Sequence, residues 1–198
     1  MIAHIRGSLG SQLACYLAWA STGPIAEIRL NIGGKIARES TVDYLTDILD
    51  ACPPVVKTDG KTKADLSDIG VLRRIVRQAA HVKLSRPIKQ TNQKILHKRL
   101  GDRQTTSNGT YERLVPSYHI VLSSTRSIDV AVDDWFRLVN AREVCSSMSL
   151  FPITAAMFNP NMHLDVLEPD GPIKMNDRAT SAFKILIAEM PNASWITL

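Results

Sequence analysis

The sequence predicts an α/β fold of Rossmann-like type, in which a mostly parallel sheet is flanked by helices. Short apolar runs, typical of strands, alternate along the chain with segments of helical periodicity. The chain has 198 residues, of which 44% are hydrophobic and 22% charged, as in ordinary globular proteins. These values exclude a wholly disordered chain, a collagen-like repeat and a disulfide scaffold. We expect a single domain over residues 1–198, in which two lobes, 1–80 and 94–198, are distinguished.

The first part of the chain alternates strands and helices three times. In order, the predicted elements are a strand at 2–6, a helix at 9–20, a strand at 25–32, a helix at 41–51, a brief strand at 55–56 and a helix at 65–80. Ser8 is suited to cap the first helix, and Pro53 ends the second. The third helix is the clearest, because Leu72, Ile75 and Ala79 recur on one side of it.

The second part continues the alternation after a basic connector, 81–93. The predicted elements are strands at 94–97 and 118–122, a helix at 132–140, a strand at 144–145, a helix at 152–159, a strand at 163–167 and a helix at 178–190. In the helix at 132–140, Trp135, Leu138 and Val139 are expected to face the core. Pro152 is tolerated because it falls in the first turn of its helix.

Basic residues are concentrated in the middle of the chain. The segment Lys57–Arg103 has 13 Lys and Arg against 4 acidic residues, whereas the net charge of the whole chain is +5. Such a segment is suited to a polyanion, which is either a nucleic acid or the diphosphate of a small ligand. The plainer interpretation is a solvated basic surface.

The cysteines and the apolar segments bear on the compartment. Cys15, Cys52 and Cys145 are far apart and form no CxxC pair, so neither a zinc site nor a disulfide framework is indicated. We expect buried thiols in a reducing, cytoplasmic environment. The apolar stretch Leu13–Ala20 is too short to span a membrane, and no secretion leader is evident.

Polar clusters fall where predicted strands end, which is where parallel sheets bind ligands. The first cluster, 6–12, includes Gly7 and Gly10 between a strand and a helix, where backbone N–H groups can meet an anion. The second, His97-Lys98-Arg99-Leu100-Gly101-Asp102, ends a strand, and Arg99 offers a planar fork suited to phosphate oxygens.

A third cluster, Ser147-Met148-Ser149, leads into a helix, where hydroxyl and N–H groups suit a phosphate. Ser149 also fits the role of an ordinary N-cap. His97 is suited to hydrogen-bond a substrate, and Asp102 to orient Arg99. Each cluster also has a structural interpretation, as a turn, a surface patch or a cap.

The three clusters together resemble the α-1,2-fucosyltransferase superfamily. The segment 4–13 resembles its N-terminal Gly-Gly-Leu-Gly-Asn-Gln segment, and 97–102 resembles its His-x-Arg-x-Gly-Asp motif. The segment 118–129 stands where the family has a strand ending in Ser-Asp. The segment 149–159 is similar to its Ser-Thr-Phe-Ser-Trp-Trp-x-Ala-x-Leu-Asn segment, and the order along the chain is the family's.

The resemblance implies a reduced GT-B-type glycosyltransferase whose nucleotide-sugar-binding lobe is 94–198. It implies metal-independent, inverting transfer of a sugar, fucose in the family, from a nucleoside diphosphate to the hydroxyl of a glycan or other acceptor. No cofactor is expected beside the donor, with GDP-fucose as the family's example. The implied catalytic residues are Arg99, His97 and Asp102, with Arg99 meeting the charge of the departing diphosphate and His97 or Asp102 acting as base. The implied donor-binding residues are Gly7, Gly10, Gln12, Ser123, Asp129, Ser147 and Ser149.

The chain also departs from the family pattern. Ile153 and Thr154 stand where the family has paired tryptophans, Ser8 and Ser11 replace a glycine and an asparagine, and the chain is much shorter than typical members. Two alternatives therefore stay open. One is a catalytically silent relative that acts as a structural or assembly protein. The other is a nucleic-acid-associated α/β protein that uses the basic segment, although aromatic residues for base stacking are sparse there.

Overall fold

A computed structural model describes residues 1–32, 42–59, 69–98, 117–122, 128–167 and 177–197. The prediction of an α/β fold is confirmed, because the described strands form two sheets in which every strand pair is parallel, with helices flanking them. The chain divides into two compact units, Met1–Pro87 and Ile88–Leu198. Each unit contains one of the sheets.

The first unit contains a sheet of three described strands in the order β1-β2-β3. Its strands are β1 (Ile2–Ile5), β2 (Glu27–Asn31) and β3 (Val55–Thr58), and its helices are α1 (Leu9–Ala20), α2 (Leu45–Ile48) and α3 (Ile69–Ala79). Helix α1 packs against α3. Leu72, Ile75 and Ala79 are buried on α3 while Arg73 and Arg77 are exposed, so the predicted apolar side of this helix is confirmed.

The second helix of this unit is shorter than the predicted span of 41–51. Asp43 accepts a hydrogen bond from the Leu45 N–H at 2.9 Å and one from the Thr46 hydroxyl at 2.6 Å, which starts the helix. At Leu49 the backbone becomes extended (φ −90°, ψ 135°) and forms an antiparallel bridge with Leu84. This long-range pairing ends the helix early and could not be read from local periodicity.

The second unit contains a sheet of five described strands in the order β5-β4-β6-β7-β8. Its strands are β4 (Lys94–Lys98), β5 (His119–Leu122), β6 (Glu143–Ser147), β7 (His163–Leu167) and β8 (Ala193–Ile196), and its helices are α4 (Ile128–Asn140), α5 (Leu150–Phe158) and α6 (Asp177–Ala188). Taken in chain order, the strands are arranged 2-1-3-4-5, the order of doubly wound flavodoxin-like sheets. Strand β8 was not predicted, because its four residues follow closely on a helix and show no alternation of burial.

Helices α4 and α5 pack together through a buried aromatic cluster. Trp135 is fully buried and meets Phe136 and Phe158 edge to face, with ring centroids 5.3 and 5.5 Å apart. The Trp135 indole N–H donates to the Thr154 hydroxyl at 3.1 Å, and this hydroxyl donates to the Phe151 carbonyl at 3.0 Å. The predicted inward orientation of Trp135 is confirmed, and the contact holds the start of α5 against α4.

Candidate functional site

The strand order of the second unit reverses between β4 and β6, and open α/β sheets bind ligands at the carboxyl ends of the strands at such a point. His97 and Ser146 are neighbours in the register of these two strands. His97 Nδ1 lies 3.0 Å from the Ser146 hydroxyl oxygen, and both side chains are almost wholly buried. The two strands are therefore joined by a polar contact close to the edge where a ligand is expected.

The proton arrangement of this contact follows from the partners of Ser146. Its hydroxyl donates its single proton to the Ser147 carbonyl at 2.8 Å, so the oxygen accepts from His97. Neutral His97 then carries its proton on Nδ1. The imidazole also stacks on the Phe151 ring, with centroids 5.3 Å apart and planes inclined by 20°. The hydrogen bond and the stacking together fix the orientation of the ring.

Helix α5 begins directly after β6, at the same edge of the sheet. Ser149 is its N-cap, and its hydroxyl accepts from the Phe151 N–H at 3.3 Å. The first backbone N–H groups of a helix have no partner within the helix, and Pro152 has no N–H. The N–H groups of Ser149 and Leu150 are therefore left for a ligand or for water. Such N–H groups at a helix N-terminus favour an anion.

At the opposite, amino edge of the same sheet, Glu143 is held by two partners. Lys94 lies 2.7 Å from one carboxylate oxygen, and the Tyr118 hydroxyl donates to the other. Burial alone would raise the pKa of Glu143, but the hydrogen bonds from Lys94 and Tyr118 and the charge of Lys94 outweigh it and lower that pKa. Burial, and then the hydrogen bond to Glu143, raise the pKa of Tyr118. This contact fixes the amino ends of β4 and β6.

In the first unit, the turn between β1 and α1 is built around Gly7. Its φ is +101°, and a Cβ there would lie 2.7 Å from the Ser11 Cβ, so only glycine fits. Gln12, fully buried, donates from Nε2 to the Gly7 carbonyl at 2.8 Å and to the Val42 carbonyl at 2.6 Å. Its Oε1 accepts from the Tyr44 N–H at 3.2 Å. Gln12 therefore ties this turn to the segment that precedes α2.

The predicted site residues fall into three groups. Gly7, Gly10 and Gln12 lie at the β1–α1 junction of the first unit, with Gly10 buried in the first turn of α1. His97, Ser147 and Ser149 lie at the carboxyl edge of the second sheet. The remaining predicted residues are Arg99, Asp102 and Ser123, which lie outside the described residues, and Asp129, whose backbone is in α4 but whose side chain is outside the described part. The roles assigned to all of them stay predictions.

The sequence did not predict the contacts of Ser146 and Phe151 with His97. Strand β6 extends to Ser147, beyond the predicted end at 145, and alternation along it puts Ser146 and Ser147 on opposite faces. Extending that alternation through the serine run would have placed Ser146 on the same face as the buried Val144. The stacking of Phe151 on His97 joins residues far apart in the chain, and no local pattern indicates it.

The three cysteines carry thiols rather than disulfides. Burial, followed by the charges of Asp165 and Glu143, raises the pKa of Cys145 to about 12. Burial also raises the pKa of Cys52 to about 11. Cys52 is only half-buried, so the expectation of a fully buried thiol is wrong for this residue. Both thiols are protonated at neutral pH and do not serve as nucleophiles in this state.

No protein-family model matches the chain, and no match was found among curated proteins or solved structures. Within the described ranges, no three His, Cys, Asp or Glu side chains lie close enough together to hold a metal ion. None of the helices in those ranges is long and apolar enough to cross a membrane.

Proposed function

We propose that the chain binds a nucleoside-diphosphate sugar at the carboxyl edge of the second sheet and transfers the sugar, fucose by resemblance, to an acceptor hydroxyl. The observation that carries the proposal is the coincidence of three features at one point of this sheet. The strand order reverses between β4 and β6, His97 is held there by Ser146, and α5 begins there with two N–H groups not used by its own cap.

The diphosphate would meet the start of α5. As the sugar leaves, the bond from its anomeric carbon to the β-phosphate oxygen breaks, and negative charge accumulates on that oxygen. The N–H groups of Ser149 and Leu150 supply partial positive charge, and we assign the full positive charge to Arg99, one residue beyond β4. A planar guanidinium suits this role because it binds two phosphate oxygens at once.

The acceptor oxygen forms the new bond on the opposite face of the sugar, and its proton passes to a base. We assign this role to Asp102 rather than to His97. His97 is 1% exposed, and its Nδ1 is engaged by Ser146, so it is poorly placed to touch an acceptor. His97 is then a positioning residue that fixes the end of β4, the strand that leads into Arg99 and Asp102.

The proposal includes a cytoplasmic location. The three cysteines remain thiols in the structure, and thiols persist in reducing compartments.

The test combines binding with transfer. Calorimetric titration of the full chain with GDP should give saturable binding, and incubation with GDP-fucose should give transfer or donor hydrolysis. Ser149→Asp preserves an N-cap residue but places a negative charge beside the diphosphate, so GDP affinity should fall about tenfold or more while the fold is kept. Asn92→Asp is the matched control, because it adds the same charge near the amino end of β4, and it should leave affinity unchanged.

The other outcomes favour the alternatives. Binding of GDP without transfer or hydrolysis of any nucleotide sugar would favour a catalytically silent relative. Binding of oligonucleotides without any binding of GDP would favour a nucleic-acid-associated protein, and would overturn the proposal.

A further inference from the structure

The first unit contains a cavity of about 530 Å³ that the proposed transfer reaction does not use. It lies at the amino edge of the sheet, since its lining includes residues that precede β2 and β3, such as Ile25 and Pro53. Residues from the C-terminal half of α1 and from the segment after α3 complete it, among them Tyr16 and Val82. Its volume is in the range of pockets that take small ligands, about 300–1,000 Å³.

The first polar group of this cavity is the hydroxyl of Tyr16. Tyr16 is 9% exposed, and its hydroxyl makes no hydrogen bond to any residue that the structure describes. Burial, and to a smaller degree the charge that Cys52 would carry as a thiolate, raise the pKa of Tyr16, so the hydroxyl keeps its proton at neutral pH. The hydroxyl is open to the cavity rather than sealed in the core, so an acceptor on a ligand can reach it there.

The second polar feature is a pair of opposite charges. Leu49 and Leu84 form an antiparallel bridge, and beside it the Asp50 N–H donates to the Lys83 carbonyl at 3.1 Å. Asp50 and Lys83 therefore face each other across this short pairing, and both line the cavity. No ion pair joins either side chain to the other or to any other described residue. The wall thus includes one acidic and one basic residue that are neighbours in the backbone pairing and form no ion pair with each other.

The rest of the lining combines two helix ends, apolar side chains and the imidazole of His81. Helices α1 and α3 both direct their C-terminal ends toward the cavity, through Ala20 and Gln78, and helix C-termini favour a cation. Ile25, Leu49 and Val82 provide an apolar wall. A ligand with only a positive or only a negative charge would leave either Lys83 or Asp50 without an opposite charge.

We propose that this cavity binds a small zwitterion with an apolar side chain, of the class of free amino acids. The α-ammonium and α-carboxylate of such a molecule are attached to one carbon, and directly opposed side chains start about 5 Å apart, so one ligand reaches both charges. The ammonium meets Asp50 and the helix C-termini. The carboxylate meets Lys83 and accepts from the Tyr16 hydroxyl, and the side chain packs on the apolar wall.

The test uses the full chain and the twenty L-amino acids, each added alone in a thermal-shift assay, with the best one then titrated by calorimetry. At least one apolar amino acid should raise the Tm and bind saturably. Its decarboxylated amine and its deaminated carboxylic acid should each bind at least about tenfold more weakly, because each loses one charge-assisted contact. The proposal is overturned if none of the twenty binds, or if the amine or the acid binds as tightly as the amino acid.

Variants separate the site from general effects. Tyr16→Phe removes only the hydroxyl and should weaken binding about three- to tenfold. Asp50→Asn and Lys83→Gln alter exposed side chains, so folding should survive, and each should weaken binding about tenfold. Asp47→Asn and Lys57→Gln are matched controls, exposed in the same unit and outside the lining, and should leave affinity unchanged. Equal affinity for Asp50→Asn and Asp47→Asn would contradict the proposal, and GDP binding serves as a separate readout of the second unit.

Discussion

The two units build parallel sheets in different ways. In the first, the described strands lie in chain order, β1-β2-β3. Each connection therefore adds the next strand on the same side of the sheet. In the second, β5 lies on one side of β4 and β6 on the other, so the sheet grows in both directions from β4. Only the second arrangement opens a crevice between the connections at the carboxyl edge. Alternating strands and helices produce both sheets, and the order of the strands decides which of them contains the crevice.

The two units also differ in how they use the polar groups at the junction between a strand and the following helix. In the first unit, the side-chain amide of Gln12 donates to two backbone carbonyls and accepts from one backbone N–H, and so holds the β1–α1 turn in place. In the second unit, the Ser149 hydroxyl accepts from one backbone N–H at the start of α5, and Pro152 has no N–H that needs an acceptor. At the carboxyl edges of the sheets, the second unit therefore keeps backbone donors for a ligand, whereas Gln12 of the first unit is used up in internal hydrogen bonds.

The largest expected effect is on transfer, in Arg99→Ala. If Arg99 meets the charge of the departing diphosphate, as we propose, its loss should cost about 3–4 kcal/mol in transfer free energy, the scale for removal of one preorganised electrostatic group. Arg99→Lys should not restore the rate, because an ammonium cannot form the two parallel bonds. Steady-state kinetics of both variants measure this.

Arg73→Ala is the matched control, because Arg73 is exposed on α3 of the first unit. Transfer should be unchanged in this variant. Equal losses in the two arginine variants would mean that the basic segment acts as a whole, as expected for a polyanion-binding surface.

The next effect is on stability, in Gly7→Ala. The positive φ of Gly7 and the close approach of Ser11 should make this change cost about 1–3 kcal/mol in the free energy of unfolding, measured by denaturant titration. Gly70→Ala, in the exposed part of α3, should instead be neutral or stabilise by up to about 1 kcal/mol. Similar changes in both variants would show that backbone strain at the β1–α1 turn is not the cause.

A third prediction concerns the contact between β4 and β6. Ser146→Ala removes the buried acceptor of the His97 N–H and should lower the free energy of unfolding by about 1–2 kcal/mol. If His97 positions the end of β4, the variant should also weaken GDP binding. Ser194→Ala in β8 is only half-buried and should change neither quantity. Normal GDP affinity in Ser146→Ala would contradict the positioning role.

The fold was largely predictable because the apolar periodicities are local and strong, as in α3. The predicted bounds of β7 match the observed ones. Features that depend on distant residues were not predictable. The end of α2 at Leu49 depends on Leu84, and the orientation of His97 depends on Ser146 and Phe151. Within the candidate site, the sequence predicted the carboxyl edge of the sheet and the N-cap role of Ser149. The contacts of Ser146 and Phe151 with His97 could be identified only in the folded structure.

The smallest effect is the pH dependence of Glu143. Its pKa is lower in the folded chain than in the unfolded one, so the folded state favours the carboxylate. That stabilisation is present above the ordinary glutamate pKa and is lost as the pH falls through the lower, folded value. Glu143→Gln should therefore be less stable than the wild type by about 1 kcal/mol at pH 7, with the difference vanishing in acid.

Glu27→Gln provides the comparison from the first unit. Glu27 pairs with Arg29 at 2.9 Å, but both side chains are more than a third exposed, so its loss should change stability by less than about 0.5 kcal/mol. Denaturant titrations between pH 3 and pH 7, about the range over which carboxylates titrate, measure both variants. A constant difference for Glu143→Gln over that range would exclude the ion pair as its cause.

Above all, we propose that the diphosphate binds where β4, β6 and the start of α5 meet. Amide hydrogen exchange of the full chain, with and without GDP, tests it most directly, because it reports which segment a ligand orders. We expect slower exchange on GDP binding at Ser149 to Ile153 and at the carboxyl ends of β4 and β6, with β7 and β8 unaffected. Saturable GDP binding that leaves exchange at Ser149 to Ile153 unchanged would show that the diphosphate binds elsewhere.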